Sequence, residues 1–281
     1  MPQKRLVTIQ DISCIGKCSL TAVIPIISAF GIEAVPLPTA VLSTHTGAGF
    51  KDFTFRDLTS DMPGIINHWK SMNIEFDAMY SGYLGSIDQL EIVDKFFREF
   101  KNDSNIIFVD PVMGDEGVLY TGFDKEFANK MRCLCSHADV ICPNITEAAY
   151  LTGMDYSSCH DTEYVQRLAN ALKSTGAKNI IITGLSEGDK VGSMCVNAET
   201  GEEHIYLHNK ISGTYYGTGD IFAGVICSAL TCGFTLYDAL KLASDFVYES
   251  IVNTQDEICK YYYGVKFEQK LHLITDLMKN I

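Results

Sequence analysis

The sequence predicts an α/β fold: a mainly parallel sheet covered by helices on both faces, with an antiparallel edge. Apolar and β-branched runs alternate with helical patterns along the 281 residues, an order typical of the strand–helix units of parallel sheets. The strand runs are continuously apolar, as expected for strands buried on both faces. No linker or internal repeat divides the chain, so we expect one domain over residues 1–281.

The first part of the chain predicts extended segments separated by helices. Gly31 ends the first helical pattern, and Pro36 and Pro38 exclude a helix interior from the segment that follows. The predicted strands here are 5–10, 33–41, 76–85 and 105–110, and the predicted helices are 20–31, 55–72 and 86–101.

The second part continues the alternation after a glycine-rich loop. The predicted elements are helices near 124–135, at about 146–152 and at 161–175, and strands at 138–144 and 177–184. Two short runs, 190–197 and 202–209, flank the turn-like "AETGEE" and predict the antiparallel edge. Helices fill most of the remainder.

Charge and composition narrow the class of partner. The chain has 22 basic and 35 acidic residues, a net charge of −13, which repels nucleic acid and anionic membranes. No apolar run reaches the roughly 18 residues that span a bilayer, and the N-terminus does not resemble a secretory signal. We therefore expect a cytoplasmic protein with no nucleic-acid or membrane partner. Its 10 scattered cysteines favour reduced thiols over disulfides or a zinc site.

Polar residues follow the predicted strands where a ligand is expected. Ligands of open parallel sheets bind beyond the carboxyl ends of the strands. The residues predicted at these ends are Gln10–Asp11, 81–83, Asp110, Pro143–Asn144 and Thr183–Gly184.

The stretch Gly217–Asp220 precedes a helix that is apolar on nearly every face. Such a helix is buried, and its glycine-lined start leaves backbone N–H groups and the helix dipole to hold an anion such as a phosphate. Asp220 then has two interpretations. It complements the dipole with Thr218 as the cap, or it accepts the proton of a hydroxyl that attacks a phosphoryl group. The motif alone leaves both open, and the P-loop, dinucleotide-binding and protein-kinase motifs are absent.

Five segments in order resemble the pyridoxal kinase family of the ribokinase-like superfamily over essentially the full length. They are "STHTG" (43–47), "SGYLGS" (81–86), "DPVMGDEG" (110–117), "CPNITEA" (142–148) and "GTGD" (217–220). The resemblance implies a three-layer α/β/α sandwich and an ATP-dependent kinase that phosphorylates the 5′-hydroxymethyl group of pyridoxal, pyridoxine or pyridoxamine in pyridoxal 5′-phosphate salvage. It also implies Mg²⁺ and a homodimer, and leaves open a monovalent cation such as K⁺.

The resemblance assigns roles to the matching positions. It makes Asp220 the general base, with Gly217, Thr218 and Gly219 as donors to the transferring phosphoryl group. It places four residues along the ATP phosphates and two as Mg²⁺ ligands. The phosphate residues are Asp110, Asn144, Glu147 and Thr183, and the metal ligands are Asp115 and Glu147. Asn144 is also expected to hold the turn before Glu147.

One residue of the predicted substrate site differs from the pattern of the family. The resemblance implies that Thr46, Gly47 and Tyr83 line the pyridine pocket. Asp11 stands where many family members have a serine, and it is expected to pair with the ring nitrogen or the amine of pyridoxamine. His45 is equally consistent with a contact to the ring and with a structural role.

Two other functions stay open at this point. Asp11 is similar to an aspartate in the first loop of hydroxymethylpyrimidine kinases of thiamine synthesis, whereas Asp220 stands where those enzymes usually have cysteine. A non-catalytic nucleotide- or pyridoxal-phosphate-binding protein is the third hypothesis.

The three glycines of residues 114–122 predict a flexible flap over the nucleotide.

Overall fold

Strands and helices alternate along the chain as the sequence predicts. The computed structural model describes residues 3–47 and 49–279. The strands are β1 (Arg5–Ile15), β2 (Glu33–Thr44), β3 (Phe55–Asp57), β4 (Ala78–Ser81), β5 (Ile106–Val109), β6 (Gly114–Asp115), β7 (Val118–Leu119), β8 (Val140–Ile141), β9 (Asn179–Glu187), β10 (Lys190–Asn197) and β11 (Glu203–Asn209). The helices are α1 (Ser19–Ala29), α2 (Met62–Ser71), α3 (Ile87–Phe100), α4 (Lys125–Cys135), α5 (Ile145–Thr152), α6 (Thr162–Leu172), α7 (Thr218–Thr231), α8 (Leu236–Val252) and α9 (Leu271–Met278). None of the helices in these ranges combines the length and hydropathy that a membrane crossing needs.

The chain forms two compact units, and the first comprises Met1–Tyr80 with Ile211–Ile281. Its strands follow the order β4-β1-β2-β3. β1 and β2 are parallel, and β3 lies antiparallel to β2. α7 packs against α1 and α8, and every residue from Ile221 to Ala229 is buried. The buried helix predicted from its all-round apolar surface is therefore confirmed.

The second unit comprises Ser81–Lys210. Its strands follow the order β11-β10-β9-β8-β5. β5, β8 and β9 are parallel, whereas β10 runs antiparallel to both β9 and β11. The α/β class, with mainly parallel strands and an antiparallel edge at β10 and β11, is confirmed.

The predicted helix over 55–72 is wrong in its first part. Phe55–Asp57 forms an edge strand, with Ala40 of β2 opposite Asp57. The backbone N–H of Thr59 donates to Asp57 Oδ1 at 2.8 Å and closes a turn. α2 then begins at Met62 with Pro63 in its first turn, where the missing N–H of proline removes no helical hydrogen bond.

Two predicted strand ends also lie elsewhere. β1 continues past Asp11 because it stays paired with β2 as far as Ile15, across an irregularity between Gln10 and Ile12. β9 continues past Thr183 to Glu187, paired with β10. Hydrogen-bonded pairing thus carries both strands beyond the point where their apolar residues stop.

Candidate active site

The start of α7 in the first unit has a conformation that only glycine fits. Gly217 is the N-cap, with φ of +77°, and a Cβ there would lie 2.1 Å from the carbonyl oxygen of Lys17. A Cβ on Gly219 would meet nothing within 4 Å, so open space adjoins the first turn. Thr218 is the first helical residue rather than the cap, and its hydroxyl donates to the Tyr215 carbonyl at 3.2 Å. Open space therefore adjoins the exposed Gly219 at the start of this helix, as an anion site requires.

Asp220 lies in this first turn, half-buried. Burial, followed by the nearby charge of Asp11, raises the pKa of its carboxyl group to about 6, against the opposing effect of the Ser19 backbone N–H. The carboxylate is ionised at neutral pH and close to its pKa. A carboxylate in that state suits a general base that works near pH 7.

Asp11 lies within β1 and is only 5% exposed. Its Oδ1 accepts a hydrogen bond from Ser19 Oγ at 2.6 Å, and its Oδ2 accepts one from Ser13 Oγ at 2.8 Å. Burial raises the pKa of this carboxyl group, and both hydroxyl contacts oppose that shift. Each carboxylate oxygen thus already accepts a hydroxyl of the chain, so a contact between Asp11 and the substrate stays a prediction.

His45 is buried, and each of its two ring nitrogens has a hydrogen-bond partner. The Gly47 N–H donates to Nδ1 at 2.9 Å, and Nε2 lies 2.9 Å from the Tyr263 carbonyl oxygen. These partners require a neutral ring that carries its proton on Nε2, and burial lowers the pKa of the ring. The structural interpretation of His45 is therefore the one that its contacts support.

An aromatic cluster surrounds His45, and sequence reasoning missed it. The ring centroid of His45 lies 5.2 Å from that of Phe50 and 5.5 Å from that of Tyr216. Phe50 in turn lies 5.8 Å from Tyr262. Tyr216 and Tyr262 are distant from His45 in the sequence. Thr46, predicted to line the ring pocket, is exposed beside the cluster.

The second unit carries the predicted nucleotide residues at the start of α5. Asn144 and Glu147 form a capping box, in which Asn144 Oδ1 accepts from the Glu147 N–H at 2.9 Å and Glu147 Oε2 accepts from the Asn144 N–H at 2.8 Å. Asn144 therefore holds this turn as predicted. The Thr183 N–H donates to the Pro143 carbonyl at 3.1 Å, which brings Thr183 beside Asn144.

Glu147 is buried, 3% exposed. Its second oxygen, Oε1, accepts from the Met113 N–H at 3.1 Å. Burial raises the pKa of Glu147 to about 8; the charge of Asp115 adds to the rise, while backbone N–H donors oppose it. Burial, followed by the negative charge of the buried Asp110, raises the pKa of the Cys142 thiol.

The predicted metal ligands fit Mg²⁺. Asp115 is exposed, and its charge acts on Glu147, so a divalent cation would relieve repulsion between the two carboxylates. Mg²⁺ is usually held by one or two carboxylates together with water and substrate phosphates. In the described part of the chain no group of three or more His, Cys, Asp or Glu side chains is placed to hold a metal, which such a water-rich site does not need.

The predicted flap is a β-hairpin tied to the start of α5. β6 and β7 pair antiparallel, with Gly114 opposite Leu119. The Gly117 N–H donates to Thr146 Oγ1 at 2.9 Å, and Asn144 Nδ2 donates to the Gly114 carbonyl at 2.8 Å. The tip is exposed, since Val118 has 64% of its surface accessible.

Tyr83, the remaining predicted pocket residue, is half-buried, with its ring 5.8 Å from that of Phe123.

Comparison with known proteins identifies the family. The model of the phosphomethylpyrimidine kinase family matches residues 65–265. The chain belongs to this family. It is 27% identical over 234 residues to the hydroxymethylpyrimidine/phosphomethylpyrimidine kinase of Bacillus subtilis (strain 168), covering 81% of this chain and 80% of that protein.

Solved structures place pyridoxal kinases in the same family and fold. A candidate phosphomethylpyrimidine kinase from Bacteroides thetaiotaomicron VPI-5482, in an orthorhombic form with pyridoxal, is 38% identical with a TM-score of 0.91, covering 97% of this chain and 96% of that one. Pyridoxal kinase from Lactobacillus plantarum is 31% identical with a TM-score of 0.91, covering 99% and 98%. The predicted ribokinase-like three-layer α/β/α fold and membership of the pyridoxal kinase family are confirmed. The chain is a kinase for a B6 vitamer or a related pyrimidine.

Proposed function

We propose that this chain is an ATP-dependent pyridoxal kinase, which phosphorylates the 5′-hydroxymethyl group of a B6 vitamer in pyridoxal 5′-phosphate salvage. The observation that carries the proposal is Asp220, a carboxylate with its pKa raised to about 6 at the glycine-lined start of a buried helix. The relative that was crystallised with pyridoxal is 38% identical over nearly the whole chain, which supports the choice of substrate.

The reaction needs one base and one anion site. Asp220 accepts the proton of the substrate hydroxyl while its oxygen forms a bond to the γ-phosphorus of ATP. The bond from that phosphorus to the bridging oxygen breaks, and ADP leaves with the electron pair. The N–H groups at Gly217, Thr218 and Gly219 stabilise the charge on the transferring phosphoryl group, together with the helix dipole.

The second unit supplies the nucleotide residues of the proposal. We assign Asp110, Asn144 and Thr183 to the ATP phosphates, and Asp115 and Glu147 to Mg²⁺. When bound, Mg²⁺ neutralises charge on the phosphates and orients them. Asn144 orders this region through its bonds to Glu147 and to the hairpin carbonyl.

The vitamer ring is assigned to Thr46, Gly47 and Tyr83. Hydroxymethylpyrimidine is the alternative substrate, because the matching family model and the Bacillus subtilis relative are pyrimidine kinases. Asp220, at a position where pyrimidine kinases usually carry cysteine, favours the B6 vitamer. A cytoplasmic homodimer is part of the proposal, and light scattering of the purified protein tests the dimer.

A phosphorylation assay with four acceptors tests the proposed function. Pyridoxal, pyridoxine, pyridoxamine and hydroxymethylpyrimidine are compared with ATP and Mg²⁺, with Asp220→Asn as the inactive control. We expect the 5′-phosphate of at least one vitamer to form with the highest kcat/KM. Phosphorylation of hydroxymethylpyrimidine alone would assign the chain to the pyrimidine kinases, and binding without turnover would support a non-catalytic role.

A further inference from the structure

The turn of the β6–β7 hairpin packs against a side chain of the α5–α6 loop (residues 153–161). A Cβ on Gly117 would lie 2.7 Å from the ring of Tyr156, so the ring lies directly against the backbone of the turn. Tyr156 is half-buried, and its hydroxyl lies 3.1 Å from His160 Nε2, with the two rings edge to face at a centroid distance of 5.5 Å. One aromatic pair of the second unit therefore borders the turn.

The loop that carries Tyr156 is fixed on both sides of this residue. The hydroxyl of Tyr164, a buried residue of α6, donates to the Asp155 carbonyl at 2.8 Å. The same hydroxyl accepts from the Ser157 N–H at 3.1 Å. Asp155 and Ser157 are the two neighbours of Tyr156 in the chain, so the backbone that presents the ring to the hairpin is joined to α6.

The turn connects the ring to the carboxylate of Asp115. Asp115 pairs with Val118, which leaves a turn of two residues. These residues, Glu116 and Gly117, have φ of +49° and +83°, as in a type I′ turn. Glutamate adopts this left-handed region at a cost, and such strain persists only where the surroundings impose it. The N–H of Glu116 donates to Asp115 Oδ1 at 2.9 Å, so the conformation of the turn orients this carboxylate.

We infer that Tyr156 is a positioning residue for Asp115. Its ring confines Gly117, whose N–H donates to Thr146 Oγ1 of α5 at 2.9 Å, and the turn held in this way sets the carboxylate of Asp115. His160 holds the ring through the hydroxyl of Tyr156. The inference rests on the proposed function in giving Asp115 to Mg²⁺, and it adds a residue that prepares the metal position before the nucleotide binds.

Tyr156 stays uncharged beside two carboxylates. Burial, followed by the charges of Asp115 and Glu116, raises the pKa of the Tyr156 hydroxyl, so this side chain keeps its proton at neutral pH. A basic side chain at the same place would pair with Asp115 and compete with a metal ion for it. A neutral ring instead confines the turn and leaves the negative charge of Asp115 available to a cation.

Hydrogen exchange of the ligand-free protein tests the contact without turnover. Tyr156→Ala removes the ring, and we expect residues 114–119 to exchange about tenfold faster than in the wild type. Tyr156→Phe keeps the ring and loses only the bond to His160, so exchange should stay within about threefold. Tyr206→Ala is the matched control. Tyr206 of β11 also packs edge to face on a histidine, His208, at 5.3 Å, and its loss should leave the hairpin unchanged.

A double-mutant cycle tests whether the ring and the turn act together. Gly117→Ala places a Cβ 2.7 Å from the ring and should speed exchange of the hairpin when Tyr156 is present. The strain that alanine adds to the left-handed backbone is the same with and without the ring, so it cancels in the cycle. In the Tyr156→Ala background, Gly117→Ala should accelerate exchange by a factor about fivefold smaller. Effects of the two substitutions that simply multiply would contradict the contact.

The Mg²⁺ concentration for half-maximal rate tests the step from the hairpin to Asp115. We expect it to rise about fivefold in Tyr156→Ala, while kcat at saturating Mg²⁺ stays within about threefold of the wild type. Tyr156→Phe and Tyr206→Ala should keep the wild-type value. A rise that follows the melting temperature across these variants, and so appears in Tyr206→Ala as well, would reduce Tyr156 to a structural role.

The outcomes separate this inference from the proposed function. Unchanged exchange of the hairpin in Tyr156→Ala would overturn the inference. Faster exchange with an unchanged Mg²⁺ titration would mean that Tyr156 holds the hairpin without affecting Asp115, and it would overturn the positioning role. If the wild-type protein phosphorylates no acceptor, the proposed function is refuted, whereas the exchange measurements still decide whether Tyr156 holds the turn.

Discussion

Asp220 and Glu147 occupy the same position in two different helices. Each is the third residue of its helix, Asp220 in α7 and Glu147 in α5. Both lie in the first turn, where the helix dipole favours a carboxylate. The two side chains nevertheless have different partners, because the residues that cap the helices differ.

Asn144 caps α5 and closes a capping box with Glu147. Both oxygens of Glu147 are then held by backbone N–H groups. Gly217 caps α7 without a side chain, so Asp220 has no reciprocal partner in its own helix. The N-cap thus separates a carboxylate whose two oxygens are held by backbone N–H groups from one that its own helix leaves without such a partner.

Asp220→Asn should produce the largest effect. The amide cannot accept the hydroxyl proton, so we expect kcat to fall by about 10²–10⁴ while ATP affinity stays nearly intact. Because the folded protein holds the Asp220 proton more tightly than the unfolded chain does, stability declines as pH rises from the unfolded pKa through about 6. The variant should lack that decline. Turnover at the wild-type rate would return Asp220 to a capping role.

Gly217→Ala should follow, with Gly219→Ala as its matched control. At position 217 a Cβ meets both the left-handed backbone and the Lys17 carbonyl, so we expect a loss of about 2–4 kcal/mol in the free energy of unfolding. At position 219 the Cβ meets nothing, and alanine in the helix should add about 0.5–1 kcal/mol. Urea denaturation measures both. Equal stabilities would contradict the conformation assigned to Gly217.

Glu147→Gln tests the other carboxylate. An amide can accept only through its oxygen, so one backbone N–H loses its acceptor and we expect about 1–2 kcal/mol of destabilisation. The Mg²⁺ concentration for half-maximal rate should also rise, by roughly tenfold. Asn144→Ala is the comparison, since it breaks the same capping box and keeps the carboxylate. An unchanged Mg²⁺ titration in Glu147→Gln would restrict Glu147 to its structural role.

The smallest effect concerns the β6–β7 hairpin. Residues 114–122 should exchange their amide hydrogens more slowly when ATP and Mg²⁺ are bound, since flaps that close over ligands come from segments of low local stability. The tip around Val118 should change most. Hydrogen exchange followed by mass spectrometry, with the β10–β11 pair as an internal reference, measures the difference. Equal rates with and without nucleotide would count against a flap.

Local signals account for what the sequence predicted well. The Asn144–Glu147 box follows from an Asn and a Glu three residues apart before an apolar run. The burial of α7 from Ile221 to Ala229 follows from its apolar faces. Both depend on neighbouring residues, and both appear in the structure as predicted.

Distant contacts account for what the sequence did not predict. The loop between β1 and α1, in which Lys17 and Ser19 have left-handed backbones, packs against Gly217, about 200 residues away in the chain. The cluster around His45 joins Phe50, Tyr216 and Tyr262. The short β3 is defined by its pairing with β2 rather than by its own pattern. Nothing in a local sequence pattern specifies such contacts.

The pH dependence of kcat/KM for the B6 vitamer, with saturating ATP and Mg²⁺, tests the central claim most directly. If Asp220 is the base, its carboxyl group must lose its proton, so the wild-type rate should fall below an apparent pKa near 6. Asp220→Asn should lose that acidic limb together with most of the rate. A wild-type rate that is constant from pH 5 to pH 8, or an acidic limb that persists in Asp220→Asn, would contradict the claim.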